Sequence, residues 1–409
     1  MTLRFHWEWE PAPEVRIPEL AATWSRLGID VDHTPATLVE RRDGSGGIRR
    51  RLDVPTYPLA EWLAINWWRI SAPSHLARDE GVRLTGAGGG FPWPDLTLRS
   101  DRGLMWAKLR QRNKTPEHVR FLTQTETVLN ADSVLIEVAH FIDETVRRLD
   151  DEGISGTLLQ DEWRAIQEAD REEIEYCLVA AAWGQDPYDT SAEVEQVLLS
   201  AGTAIDAALL ADLSRAVPIN QVNEAVTWLV EATTSLVPRP VHLPSLGPLD
   251  YPSSAGMAAW KIGYDRARKL RLLLDVAPRD RAPISTLLPV HHSSSIAPSN
   301  VDGLMSSEDS KIAVVVGAGT HPRSARFASA RAVARQSLSP VHGRSLITRA
   351  SRYTDRAERA FAAELLAPAE GIEQVLDGDL SDEAIRRAAD HFDVSTLLIQ
   401  HQIDNQVAA

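Results

Sequence analysis

The segment Val237-Pro238-Arg239-Pro240-Val241-His242-Leu243-Pro244, with further prolines at 248 and 252, cannot be helical. Each proline lacks a backbone N–H, and its ring clashes with the carbonyl four residues earlier. Placed after a long helix-rich stretch, this spacing predicts a linker over residues 237–254. It sets a C-terminal region, 255–409, apart from everything before it. At 409 residues the chain is too long for one ordinary core, so such a division is expected.

Upstream, the pattern changes once more. Leu3, Phe5, Trp7 and Trp9 alternate with polar residues, as in a half-buried strand. Short strands are expected at 28–32, 36–42 and 47–54, the last two joined by the turn Asp43-Gly44-Ser45-Gly46-Gly47. The apolar positions of 57–68 fit a helix with Pro58 in its first turn. Further strands are expected at 80–85, 94–100, 104–111 and 118–124, and a helix at about 131–149 closes a tryptophan-rich α+β region, 1–150. Eight of the twelve tryptophans precede residue 107, most at core-facing positions. Residues 151–236 read as helical: Leu158, Trp163, Ile166, Ile174, Cys177, Leu178 and Ala181 suit amphipathic helices and carry no motif with evident chemistry.

A net charge of −14 argues against a protein whose whole surface grips nucleic acid. The single cysteine, Cys177, allows no intrachain disulfide and no cysteine-rich metal site. The alternating start lacks the apolar run of a signal peptide, and no stretch approaches the roughly 20 apolar residues of a membrane span. The expectation is a soluble cytoplasmic protein with no membrane partner.

In the C-terminal region a helix is expected from 257 to about 276, then the apolar strand 311–316, then helices at about 325–338, 355–367, 381–391 and 395–405. The pieces Asp302-Gly303-Leu304, the strand, Arg326-Phe327, Phe361-Ala362-Ala363-Glu364-Leu365-Leu366-Ala367-Pro368, Phe392-Asp393-Val394-Ser395 and His401-Gln402-Ile403 follow in order. This succession resembles the ImmA/IrrE family of zinc metallopeptidases. The resemblance implies an α+β chain ending in a zincin-like domain, and a setting in bacterial stress response, mobile-element control or phage defence.

The sequence departs from that family at the chemistry. In HExxH, two histidines four residues apart share a helical face and bind zinc, while the glutamate acts as general base on the metal-bound water. Matched on Arg326-Phe327, the histidine positions hold Arg331 and Arg335, and the base position holds Ala332. The third ligand falls on Ala357, with Glu358 one residue late and Asp355 two residues early. One residue turns a helix by about 100°, so Glu358 is not expected to substitute. A guanidinium has no lone pair for a cation. No catalytic residue, metal site or cofactor is therefore predicted, and His291, His292, His321 and His342 are too scattered to rebuild one.

Nine arginines fall within 321–360: 323, 326, 331, 335, 344, 349, 352, 356 and 359. Three readings are open. The arginines form a solvated face. Alternatively, Arg331 and Arg335 pair with Asp355, Glu358 or Glu364, so that a salt-bridge cluster replaces zinc in pinning two helices. In the third, the former cleft is an anion site for phosphate, an acidic peptide or nucleic acid. The 382–404 tail has helix–turn–helix spacing, yet its second helix carries neither Arg nor Lys to reach bases, so packing is the expected role. Gly86 to Pro92 lacks the Lys-Ser/Thr ending of a phosphate loop and is expected to be a turn.

These readings converge on a catalytically silent ImmA/IrrE-like protein acting with protein partners as a regulatory, scaffold or sensor component. The enzymatic alternatives are an atypical metallopeptidase, or a degenerate PD-(D/E)xK nuclease built on Pro94-Asp95 and Lys108. The latter has Trp106 where a second acid is needed.

Overall fold

The computed structural model describes residues 2–12, 14–41, 47–72, 81–112, 119–247, 258–308, 311–338, 342–350 and 352–407. The chain is of mixed α+β class and divides into two compact units, one running to Thr190 and the other beginning at Ser191. No helix among the described residues is long and apolar enough to cross a membrane.

The first unit holds three antiparallel sheets among its described residues. The alternating strand Leu3–Trp9 pairs along its whole length with Trp24–Val31, turning Leu3 and Phe5 inward. Phe5 stacks at 4.5 Å on Phe141 of the helix Ala131–Asp151, which begins at Asn130, whose side chain accepts from the Ser133 N–H. A strand at Thr125–Asn130 precedes this helix where the sequence reading placed no element. The helix expected over 57–68 is two, Tyr57–Ile65 and Trp67–Ser71, broken at Asn66, whose amide donates to the Trp62 carbonyl. Trp68 and Trp93 are buried, and Trp7, Trp62 and Trp67 pack half-buried against the same core. Gly86 lies so close to the Trp62 ring that a Cβ there would sit 2.2 Å from it, so the glycine run is a packed turn. The turn residues 43–46 lie outside the described residues.

The nuclease-like residues Asp95 and Lys108 stand on adjacent antiparallel strands, each engaged with another charged partner. Asp95 lies 3.5 Å from Arg83, Lys108 pairs with Glu126 at 2.9 Å, and Trp106 sits between Arg99 and Lys108.

The second unit opens with three helices, α1 (Ala192–Ala204), α2 (Ala207–Ser214) and α3 (Val222–Thr234). The region 151–236, read from sequence as one helical segment, is thus divided: Leu158–Glu168 and Arg171–Ala182 belong to the first unit. The proline-rich segment differs from its expected role as well. Its strand β1 (Arg239–Pro240) pairs with the sheet edge, where a missing N–H is tolerated. Leu246 is buried, and its carbonyl accepts from Arg266 and Lys269. Residues 237–247 are therefore a strap on this unit, and 248–254 lie outside the described residues.

Next come α4 (Ala259–Leu273), a short α5 (Ile284–Leu287), and strands β2 (Val290–His292), β3 (Val301–Glu308) and β4 (Lys311–Val316). Then follow α6 (Pro322–Leu338), β5 (Gly343–Thr348), α7 (Tyr353–Leu366), α8 (Ala369–Leu376), α9 (Asp382–Phe392) and α10 (Thr396–Gln402). The sheet order is β1-β4-β3-β5, with β2 parallel to β4 beside β1. α5, β2, β3, β5 and α8 were not foreseen. Helix α6 is buried on nearly every side from Ala325 to Arg335, because its many alanines let the sheet and α7 approach closely. Helices α4 and α7 meet at Gly263, where a Cβ would lie 2.4 Å from the Ala357 carbonyl oxygen and 2.7 Å from the Phe361 nitrogen. Only glycine permits that approach.

The tail packs as expected. Ser381 and Ser395 cap α9 and α10, and Phe392, Val394 and Ile399 enter the core.

Candidate functional site: a buried arginine pair

Four residues apart on α6, Arg331 and Arg335 project from one face. Both are sealed from solvent, at 0% and 1% exposure, and so are Asp355 at 0% and Glu358 at 3%. The Arg335 guanidinium grips Glu358 in a two-pronged bond, Nε to Oε1 at 2.8 Å and Nη2 to Oε2 at 2.9 Å. Its Nη1 donates to the Leu346 carbonyl at 2.7 Å and to Ser345 Oγ at 3.1 Å. Arg331 donates through Nη1 to the Thr348 carbonyl at 2.6 Å and to Asp302 at 3.1 Å. Its Nη2 lies 3.4 Å from Glu358 and 3.5 Å from Asp355.

Each partner comes from a different element. Asp302 stands at a register shift of β3 between Val301 and Gly303, and such a bulge re-aims a side chain. Ser345, Leu346 and Thr348 belong to β5, and Asp355 and Glu358 to α7. The cluster therefore ties one helix to a second helix and to two strands. Burying these charges carries a large desolvation cost, which only the bidentate geometry and the carbonyl acceptors offset.

Several sequence expectations need revision. The third-ligand position, Ala357, faces α4 at Gly263. Glu358, which the gapless match set aside, is the residue turned toward both arginines. Docking of α4 fixes this: it occupies the Ala357 side of α7 and leaves the Glu358 side to α6. Glu364 joins a separate cluster, accepting from Arg268 at 2.8 Å, Gln402 at 2.9 Å and Gln406 at 2.8 Å. Six residues beyond Glu358, it is rotated by about 240° around the helix. Nor do the arginines of 321–360 form a solvated basic face suited to nucleic acid, since Arg326, Arg331, Arg335 and Arg352 are buried. Arg326 donates to the carbonyls of Phe392, Asp393 and Ala282, and burial pushes its pKa below the ordinary arginine value. Arg323 pairs with Asp390 and Asp393, and Arg344 pairs with Asp206.

Sequence reasoning missed Asp302 as a partner, although the residue opens the Asp-Gly-Leu motif; adjacency to α6 was the absent signal. His291 and His292 lie on the edge strand β2, His321 accepts from the Arg323 N–H, and His342 is exposed. Among the described residues, no group of three or more His, Cys, Asp or Glu is placed to hold a metal. At the α6 positions themselves the donor set does not fit zinc, because protonated guanidinium groups repel a cation and already occupy the carboxylate.

No protein-family model matches the chain, and no curated protein matches it. The likeness to ImmA/IrrE peptidases accordingly rests on the sequence pieces at 302–304, 311–316, 326–327, 361–368, 392–395 and 401–403.

Proposed function

We propose that the region from 255 onward is an ImmA/IrrE-type, zincin-like domain that has lost hydrolysis, and that the chain works as a regulatory, scaffold or sensor component. The setting that the resemblance implies is bacterial stress response or defence against phage and mobile elements. One observation carries this reading: the two residues at the HExxH histidine positions are buried arginines locked onto Glu358. The lock does mechanically what a zinc ion does in such a fold, holding elements together, here two helices and two strands. It offers no lone pair to a metal, no activated water and no general base, since position 332 is alanine.

The test is metal analysis of the full chain purified without added zinc, together with a peptidase assay with and without chelator. Metal far below one equivalent and no chelator-sensitive cleavage are expected. Near-stoichiometric zinc with chelator-sensitive cleavage overturns the reading.

A further inference from the structure

Beside the arginine lock, a cleft of about 610 Å³ opens between α4, α7 and α10. That size is typical of a small-molecule site. Its walls are mostly apolar. Trp260 and Tyr264, one turn apart on α4, form one side, and Leu397 and Leu398 of α10 form the other. Two of these side chains are large and apolar yet solvent-facing, Trp260 at 43% and Leu397 at 65% exposure. The room between them exists because α7 places the small side chains of Ala360 and Ala363 on the cleft floor.

The polar end is cationic. Four arginines line the cleft, Arg323, Arg349, Arg356 and Arg359, against one acid, Asp302. Arg323 is held by Asp390 and Asp393, and Arg349 donates to Asp302 at 2.9 Å. The other two are surplus. Arg356 is exposed and makes no ion pair among the described residues. Arg359 is half-buried and donates to the Ala350 carbonyl at 2.6 Å, while Asp355 and Glu358 beneath it face Arg331 and Arg335. Burial, and next the nearby charge of Arg331, push the Arg359 pKa below its ordinary value. Arg356 and Arg359 stand three residues apart on α7, the spacing at which two side chains reach one point.

We propose that this cleft binds a small amphipathic anion, its apolar body lying between Trp260 and Leu397 and its single carboxylate or phosphate head held by Arg356 and Arg359. Arginine forks match both head groups. The shared chemistry admits two sources, an acyl carboxylate or a nucleoside monophosphate. The proposal names a ligand for the sensor role but stands on the cleft alone, whatever the ancestry of the domain.

The experiment titrates the full chain with anilinonaphthalene sulfonate, an aromatic anion whose fluorescence rises in an apolar site. Displacement follows with dodecanoate, adenosine monophosphate, inorganic phosphate and the neutral analogues dodecanol and adenosine. Saturable binding is expected, weakened at least about tenfold both by Arg356→Ala, which removes the anchor, and by Ala363→Trp, which fills the floor. Both variants alter solvent-facing positions, and unchanged circular dichroism and Tm certify their folding. Displacement by dodecanoate over dodecanol identifies the acyl source, and displacement by the nucleotide over adenosine the other. The proposal is overturned by absent saturable binding, by both folded variants binding as the parent does, or by neutral analogues competing as well as the anions. Chelator-sensitive proteolysis would sink the silent-domain reading and leave this cleft standing; loss of probe binding would do the reverse.

Discussion

The interiors of the two units are made of different materials. Among the described residues, the first unit buries apolar side chains with hydroxyls and a few other polar groups, and no lysine or arginine. The second buries six arginines: Arg215, Arg271, Arg326, Arg331, Arg335 and Arg352. Arg271 shows what such a residue does, gathering the carbonyls of Leu365, Ala277, Pro278 and Asp280 around one guanidinium. An apolar core coheres through many small contacts and tolerates local loss. A core cross-linked by guanidinium groups concentrates its cohesion at a few points that fail badly when one partner is removed.

The sharpest break of this contrast is Glu358→Gln. It strips charge from the acceptor shared by two buried arginines and is expected to cost about 3–5 kcal/mol in the unfolding of the second unit. The paired change Arg335→Met with Glu358→Leu is expected to cost clearly less than its two single changes added together; strict additivity in denaturant titrations would refute the lock. Next in size is Gly263→Ala, which forces α4 off α7 and is expected to cost about 1–3 kcal/mol, read as a fall in Tm. A first-unit counterpart is Thr145→Val. Thr145 donates to Thr56 Oγ1 or the Phe141 carbonyl, each at 3.0 Å, and losing one such bond is expected to cost about 1 kcal/mol. A loss equal to that of Glu358→Gln would erase the contrast.

The smallest effect concerns pH. Bonds from the hydroxyls and backbone N–H groups of Ser294 and Ser295 hold the Glu231 carboxyl below its usual range. A depressed folded-state pKa adds stability above the unfolded value of 4.5, which fades as pH falls through the folded value. Glu231→Gln should therefore leave acid unfolding shallower and lower stability slightly at neutral pH. An unchanged acid limb would show that the serine bonds add nothing.

Much of the outline was legible in the sequence. Alternation announced Leu3–Trp9, the apolar run announced 311–316, and a helix was expected at about 131–149, two residues short of its observed end at Asp151. The strand Gly343–Thr348 was hidden because Gly-Arg-Ser leads it, and β3 because its centre reads Met-Ser-Ser. At the site, the i, i+4 spacing of Arg331 and Arg335 was readable, whereas their inward direction was not. Arginine is among the residues least often buried, so only the facing carboxylate and the β5 carbonyls reveal that it can be. Which acid faces them was decided by Gly263, some 95 residues from Glu358.

Asp302 shows where such a core meets the outside. One of its oxygens accepts from Arg331, which solvent never reaches, and the other from Arg349, which stands in the wall of the open cleft. The carboxylate is a shared counter-ion, so its hold on one cation depends on the position of the other. Whatever draws Arg349 outward leaves Asp302 to Arg331 alone, and by reciprocity a tighter inner bond loosens the outer one. A single side chain at a strand irregularity thus makes the charge balance of the sealed interior sensitive to what sits in the cleft.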